Sequence, residues 1–455
     1  MNQQNDQMVL YVGESKNSKK VGKWDIMYKE KLIGGGSYDE EGNGIKIGRW
    51  IEINGGFNQG SQVTFSGDYK NGNKVGRWDI LFRRDEDCPF TQIGGGQYDE
   101  EGQGLKIGDW IEINELFMDG SQVTFNGQYK NGKRLGRWDI LFRSFEHNPF
   151  IQIGGGQYEE EGLGLKIGNW IEISDRFMDG QQVAFNGEYK FGQKVGIWKI
   201  LYRSSDDNPF SQIGGGQYDE EGNGMKIGSW IEISDEFRNQ SQVINKGDYQ
   251  NGKKVGRWDI WYRNNDDELV SEKIGGGSYD EFGAGMKIGK WIELDNQFYE
   301  DKQVTFIGEY KNDKKIGRWD ILWRYQSSDP FSQIGGGSYD DRGDGMKIGR
   351  WIELYDGFKW NTQVIWDGEY KYEKKVGRWD IQYKRNKYTP YQQIGGGQYD
   401  EDGQKIGQWV ELYDLFDDDW QYTFCGEYKN GKKKGIWVEL DIRKNEKRSE
   451  IIYDY

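Results

Sequence analysis

The sequence predicts an all-β protein: an elongated tandem β-hairpin ribbon, an antiparallel meander of about fifteen hairpins in one twisted or coiled sheet. Three observations carry this. The 455 residues hold 20 Trp, 29 Tyr and 21 Phe at a mean hydropathy of −0.96. They hold 68 Gly but only 5 Pro. Finally, Trp-bearing motifs return along the chain at a period of about 60 residues.

Aromatic side chains suit a pleated, half-buried surface, and glycine suits the turns between strands. A disordered chain of this polarity would not carry so many large rings. Internal repetition then fixes the architecture. "VGRWDI" and its variants place Trp at 24, 78, 138, 198, 258, 319, 379 and 437. "KIGxW" places it at 50, 110, 170, 230, 291, 351 and 409. Fifteen of the 20 Trp are therefore repeat positions.

Each period is two related halves. The first reads "GQYKNGKRLGRWDI" (Gly127–Ile140) and the second "GQYEEEGLGLKIGNWIEI" (Gly156–Ile173). Both run Gly-x-Tyr, a polar turn, then basic-apolar-Gly-x-Trp, and the second has three extra turn residues. In "QVTFNGQYK" (Gln122–Lys130), Val123, Phe125, Gly127 and Tyr129 share one face by strict alternation. "NG" is a strong hairpin turn, and Trp138, Ile140 and Phe142 share a face on the return strand. Matching the apolar sets sets Tyr129 opposite Trp138, Gly127 opposite Ile140 and Phe125 opposite Phe142. In "NWIEI", Trp170 and Glu172 have one parity and Ile171 and Ile173 the other, so parts of both faces are expected to be covered. Basic and acidic turns are expected to alternate along one long edge and to attract one another.

All five prolines (Pro89, Pro149, Pro209, Pro330, Pro390) fall in one connector, as "NPF" or a variant. Proline cannot donate to a ladder, so this is a loop. A Phe seven residues after each second-type Trp (Phe57, Phe117, Phe177, Phe237, Phe298, Phe358, Phe416) marks the other connector and is expected to tuck under the sheet. The organisation expected is one array over 1–455: a capping hairpin at 1–33, alternating hairpins at 34–425, and a capping hairpin with a polar tail at 426–455.

"GDYQNGKKVGRW" (Gly247–Trp258) and "GEYKNGKKKGIW" (Gly426–Trp437) resemble the MORN repeat, especially its variant in bacterial antitoxin-like proteins. The resemblance spans nearly the whole chain and is most specific in the first-type halves. Where the family ends its repeat in Gly-x-Gly, this chain has Gly-x-Trp. The resemblance implies hairpin ribbons that serve as scaffolds or as cytoskeletal and membrane–cytoskeleton linkers, sometimes as dimers.

The stretch "IGGGQYDEEGQGLKIGDW" (Ile93–Trp110) raises sharper options. It lacks the Gly-Lys-Ser/Thr of a phosphate-binding loop. It lacks the terminal bidentate Glu of a calcium loop, since Arg49, Asp109, Asn169, Ser229, Lys290, Arg350 and Gln408 stand after the last glycine. "YDEDGQKIGQW" (Tyr399–Trp409) has lost two loop residues, which a turn tolerates and a coordination site does not. The single His147 sits in a connector, and Glu100 and Glu101 read as a solvated turn. Cys88 and Cys425 give no disulfide framework and favour a reducing compartment.

These readings name no catalytic, cofactor-binding or metal residue, and no cofactor. The net charge of −15 disfavours nucleic acid and an anionic membrane surface. The start, "MNQQNDQMVLYVGESK", does not read as a signal peptide, so a cytoplasmic address is expected, with a cytoskeletal one open. The function expected is a non-enzymatic scaffold that binds other proteins, with self-association open. The alternative is an aromatic face that binds glycan or extended peptide, with Trp261, Trp323, Trp360, Trp366 and Trp420 as contacts, or weak calcium binding at the acidic turns.

Overall fold

In the computed structural model, residues 9–263, 271–386 and 388–453 are described. They form thirty-one strands and no helix, and every described pairing is antiparallel between strands consecutive in sequence. The all-β hairpin meander is therefore the observed fold. Two compact units divide the chain, Met1–Ile227 and Gly228–Tyr455. The first opens with β1 (Val9–Lys16), β2 (Lys19–Tyr28), β3 (Lys31–Tyr38), β4 (Lys46–Ile53), β5 (Gln62–Lys70) and β6 (Asn73–Arg83). β5 and β6 make a first-type hairpin, β3 and β4 a second-type one. The same pair of hairpins recurs in both units.

The register differs from the one expected from matching apolar residues. Phe125 pairs with Ile140, Val123 with Phe142 and Tyr129 with Arg134, so Trp138 is not opposite Tyr129. A bulge accounts for the shift. In β5–β6, Ser66 pairs with Asp79 and Asp68 with Val75, which leaves Gly76, Arg77 and Trp78 opposite Gly67 alone. Gly76 starts the bulge at φ 61°, where other residues are strained. The extra residues swing the Trp78 ring back over Gly67, where an added Cβ would lie 2.3 Å from ring atoms. The bulge also frees the Asp68 carbonyl, and Trp78 Nε1 donates to it at 3.2 Å. The outcome explains the Gly-x-Tyr…Gly-x-Trp spacing: the first glycine is the seat of the ring, the second turns the strand to reach it.

The glycine triplet has three separate causes. At Gly94 a Cβ would meet the Ile111 carbonyl oxygen at 2.6 Å. Gly95 has φ +125°, with the Trp78 carbonyl oxygen 2.2 Å from its missing Cβ. Gly96 is the seat of the Trp110 ring, at 2.1 Å. Backbone crowds the first two and a ring fills the third, so no side chain fits at any of them.

Seated rings then pack on one another. In the first unit Trp and Tyr alternate from Trp24 to Tyr218 in T-shaped contacts, for example 5.0 Å for Tyr38–Trp50 and 6.2 Å for Trp78–Tyr98. In the second the same row is seen from Trp230 to Tyr453. Edge-to-face pairs contribute about 0.5–1.5 kcal/mol each beyond burial.

The other layer of core lies toward the connectors. Val63, Ile80, Phe82 and Phe117 cluster there, as do Val123, Ile140, Phe142 and Phe177 one period later. The connector Phe reaches back two strands: Phe117 meets Phe82 at 5.2 Å and Phe177 meets Phe142 at 5.1 Å. Ser61 Oγ donates to the Phe117 carbonyl at 2.6 Å, and Ser121 Oγ to that of Phe177. These loops are four strands apart, about 19 Å on a flat sheet. Their contact requires the sheet within the first unit to coil with these loops inside. In the prolyl connectors, Phe90, Phe150 and Phe210 lie on the guanidinium groups of Arg83, Arg143 and Arg203 at 4.4–4.7 Å.

At the ends, β1 and β2 form the first hairpin, while the expected polar tail is a strand: Glu446–Tyr453 pairs with Lys432–Asp441. Ser449, Glu450 and Ile451 stand on it where the other strands of this kind carry the glycine triplet. At two of those glycines the atoms closest to an added Cβ belong to the strand that follows them.

Seating a ring on a bare backbone has a direct test. Gly127→Ala should lower stability by about 1–3 kcal/mol or more, because the methyl overlaps the Trp138 ring. Gly55→Ala, with open space around it, should stay within about 0.5 kcal/mol of the parent. Urea unfolding followed by Trp fluorescence compares the two.

Candidate functional site

The ring-bearing face carries a polar cluster repeated seven times. Its centre is the glutamate two residues after each second-type Trp: Glu52, Glu112, Glu172, Glu232, Glu293, Glu353 and Glu411. Glu172 accepts from Tyr189 OH at 2.8 Å and pairs with Lys194 at 2.9 Å and with Lys166. Glu112 has the same set, with Arg134 at 2.6 Å as one of its cations. The Trp170/Glu172 parity is thus functional for the fold: both face the same side.

The cations cap the rings. Lys74 Nζ lies 3.8 Å from the Trp78 ring centroid and Lys46 Nζ 4.5 Å from that of Trp50. Trp78 and Trp50 thus each have glycine backbone on one face and a cation on the other, with Glu52 balancing the charge of both cations. Burial raises the Glu112 carboxyl, but Lys106 and Arg134 outweigh it and hold it below its ordinary 4.5. Burial, with Glu112 beside it, pushes the Tyr129 hydroxyl up to about 12. The pairing thus moves the Glu112 carboxyl down and the Tyr129 hydroxyl up, both away from neutral pH.

The coil leaves open grooves between this face and the inner connectors. One of ≈350 Å³ in the first unit is lined by Trp78, Lys106, Glu112, Arg134, Asn114 and Glu115, among others. Two larger ones in the second unit, ≈740 and ≈790 Å³, have the same kind of walls around Glu293.

The acidic turns staple themselves. Asp39 carboxylate oxygens accept the backbone N–H groups of Asn43 (2.9 Å) and Ile45 (2.5 Å), and these bonds hold its carboxyl below the ordinary range. Asp280 does the same with Met286 and Ala284. The leading carboxylate of these loops already serves its own backbone. Among the described residues, no group of three or more His, Cys, Asp or Glu is arranged to hold a metal ion. Ion pairs between neighbouring basic and acidic turns are seen at Lys371–Glu401 (2.7 Å) and Lys374–Asp402 (3.2 Å). Other neighbouring turns meet through hydrogen bonds, such as Gly132 N–H to the Lys106 carbonyl at 2.9 Å and Asn73 Nδ2 to the Gly102 carbonyl at 2.8 Å.

Residues singled out from the sequence fall in different places. Of the fifteen repeat tryptophans, fourteen are at most 4% exposed, and Trp24 is half-buried. Of the other five, Trp323 is buried against Phe358, which corrects its reading as a contact residue. Trp261 and Trp366 are half-buried, while Trp360 and Trp420 are 41% and 52% exposed. His147 is exposed and stacks on Phe145 at 5.7 Å. Glu100 and Glu101 are exposed and hydrogen-bond separately, to Gln97 and Gln103. Cys88 and Cys425 are free thiols. Residues 1–8 of the polar start lie outside the described residues. Among the described residues no helix is long and apolar enough to cross a membrane.

The Lys–Glu–Tyr clusters escape a reading by composition, although their signal is periodic: a basic residue four before each repeat Trp, and Glu two after each second-type Trp. No protein-family model matches the chain, and no curated protein matches it significantly.

Acid should undo these clusters. The folded carboxyls sit below 4.5, so their contribution is full above that pH and is lost as pH falls through the lowered values. Glu172→Gln should cost about 1–3 kcal/mol at pH 7, by leaving Lys166 and Lys194 unbalanced, and much less at pH 3. Urea midpoints of parent and variant at both pH values check this.

Proposed function

We propose that this chain is a non-enzymatic interaction protein, a MORN-like hairpin-repeat scaffold that holds other proteins, cytoplasmic and associated with the cytoskeleton. The observation that carries this reading is ring burial. Fourteen repeat tryptophans are at most 4% exposed, so their faces serve the fold and do not offer stacking platforms for sugar rings. The repeated charged groups are likewise matched internally. What differs from repeat to repeat is the exposed set. Leu163, Phe191 and Ile197 are 63%, 75% and 70% exposed at positions where the previous repeat carries Gln103, Asn131 and Arg137. The neighbouring repeat shows that the fold does not require a large apolar group at these places, and we assign the three to protein contact.

The test is capture with the 455-residue chain as bait, beside binding to a glycan array. A stoichiometric protein partner is expected, weakened at least fivefold when Leu163, Phe191 and Ile197 are replaced by Gln, Asn and Arg. Saturable glycan binding with no protein captured would contradict the reading.

A further inference from the structure

The first hairpin departs from the other seven of its kind: Ser15 stands opposite Lys20 where those seven carry a Tyr, and the basic residue lacks, among the described residues, the partner it has elsewhere. In those seven, the basic residue above the Trp ring is paired with a glutamate from the preceding strand, from Lys74–Glu52 at 2.8 Å to Lys433–Glu411 at 2.9 Å. Lys20 is the same residue of the first hairpin. It lies 4.1 Å from the Trp24 ring centroid and 5.1 Å from that of Tyr11, and no described carboxylate pairs with it.

The strand beside it repeats the contrast. β1 matches β5 residue for residue in its pairing: Tyr11 with Ile26 as Phe65 with Ile80, and Gly13 with Trp24 as the seat of the ring. β5 is covered on its outer edge by β4, with Ile53 against Thr64, Glu52 against Phe65 and Ile51 against Ser66. Thr64 and Ser66 are accordingly buried, at 1% and 6% exposed. The same places in β1 are Leu10 and Val12, 44% and 56% exposed, and Tyr11 between them is 53% exposed. Among the described residues nothing pairs with this edge. It is the more apolar of the two and the more open, the reverse of how a shielded edge is built.

We propose that the outer edge of β1 docks one extended strand of another protein, added antiparallel, with apolar–acidic–apolar residues and the acid opposite Tyr11. The seven internal pairings specify this chemistry. The carboxylate meets the Lys20 ammonium, and the flanking apolar side chains cover Leu10 and Val12, while main-chain bonds extend the ladder. The proposal deepens the interaction-protein reading and rests on it.

A fluorescein-labelled peptide of about ten residues with Thr-Ile-Glu-Ile-Thr at its centre is the probe, read by anisotropy against the full chain. Saturable binding is expected, about tenfold weaker for the peptide with Gln in place of Glu. The difference should vanish on the Lys20→Gln chain. Equal binding of the two peptides, discrimination that survives Lys20→Gln, or no saturable binding overturns the proposal. Binding only after removal of residues 1–8 would assign the edge to this chain's own start, and a dimer that the peptide cannot dissolve would assign it to a second copy; either overturns it. The two readings fail separately: absent peptide binding with partner capture retained removes the edge assignment alone.

Discussion

A tryptophan ring can lie flat on a strand only where that strand has no side chain. This seating of Trp on Gly is the constraint on which the rest of the molecule depends. It requires the bulge that brings Trp78 back over Gly67, and the bulge requires Gly76 at positive φ. It turns the indole N–H toward the carbonyl that the bulge releases. It leaves the opposite ring face bare, and a cation covers it, balanced by a glutamate. Each feature would be unfavourable alone: a glycine in a strand, a broken ladder, a half-buried charge. Together they complete one another, and the set recurs along both units.

The same closure shapes function. In this framework rings and charges satisfy one another, and its grooves present matched Lys–Glu–Tyr walls. Under the proposed function, recognition moves to places where the pattern breaks. Leu163, Phe191 and Ile197 break it on the surface of the first unit, and β1 breaks it at an edge. In a repeat protein such departures are informative because the neighbouring repeats show what the fold alone requires.

Much of this was legible in the sequence. The 60-residue period, the two hairpin types and the connector Phe all follow from spacing, and Phe57 to Phe416 are buried as expected. The register was not legible, because alternation assumes an unbroken ladder. Three residues opposite one shifted the partner of Ile140 from Gly127 to Phe125. The triplet of Gly94, Gly95 and Gly96 resembled a ligand loop, since its causes are the carbonyls of Ile111 and Trp78 and the ring of Trp110, which come together only in three dimensions. The glutamate clusters were hidden for the same reason: Lys166, Glu172, Tyr189 and Lys194 lie on three strands. Trp323 departs from the repeat and yet is core, so rarity along the sequence did not mean exposure.

The claim that the rings are the interior is tested most directly by acrylamide quenching of the native chain's fluorescence. A small quenchable fraction is expected, dominated by Trp360 and Trp420, with half-buried Trp24, Trp261 and Trp366 next. Ready quenching of most of the 20 tryptophans would contradict the account.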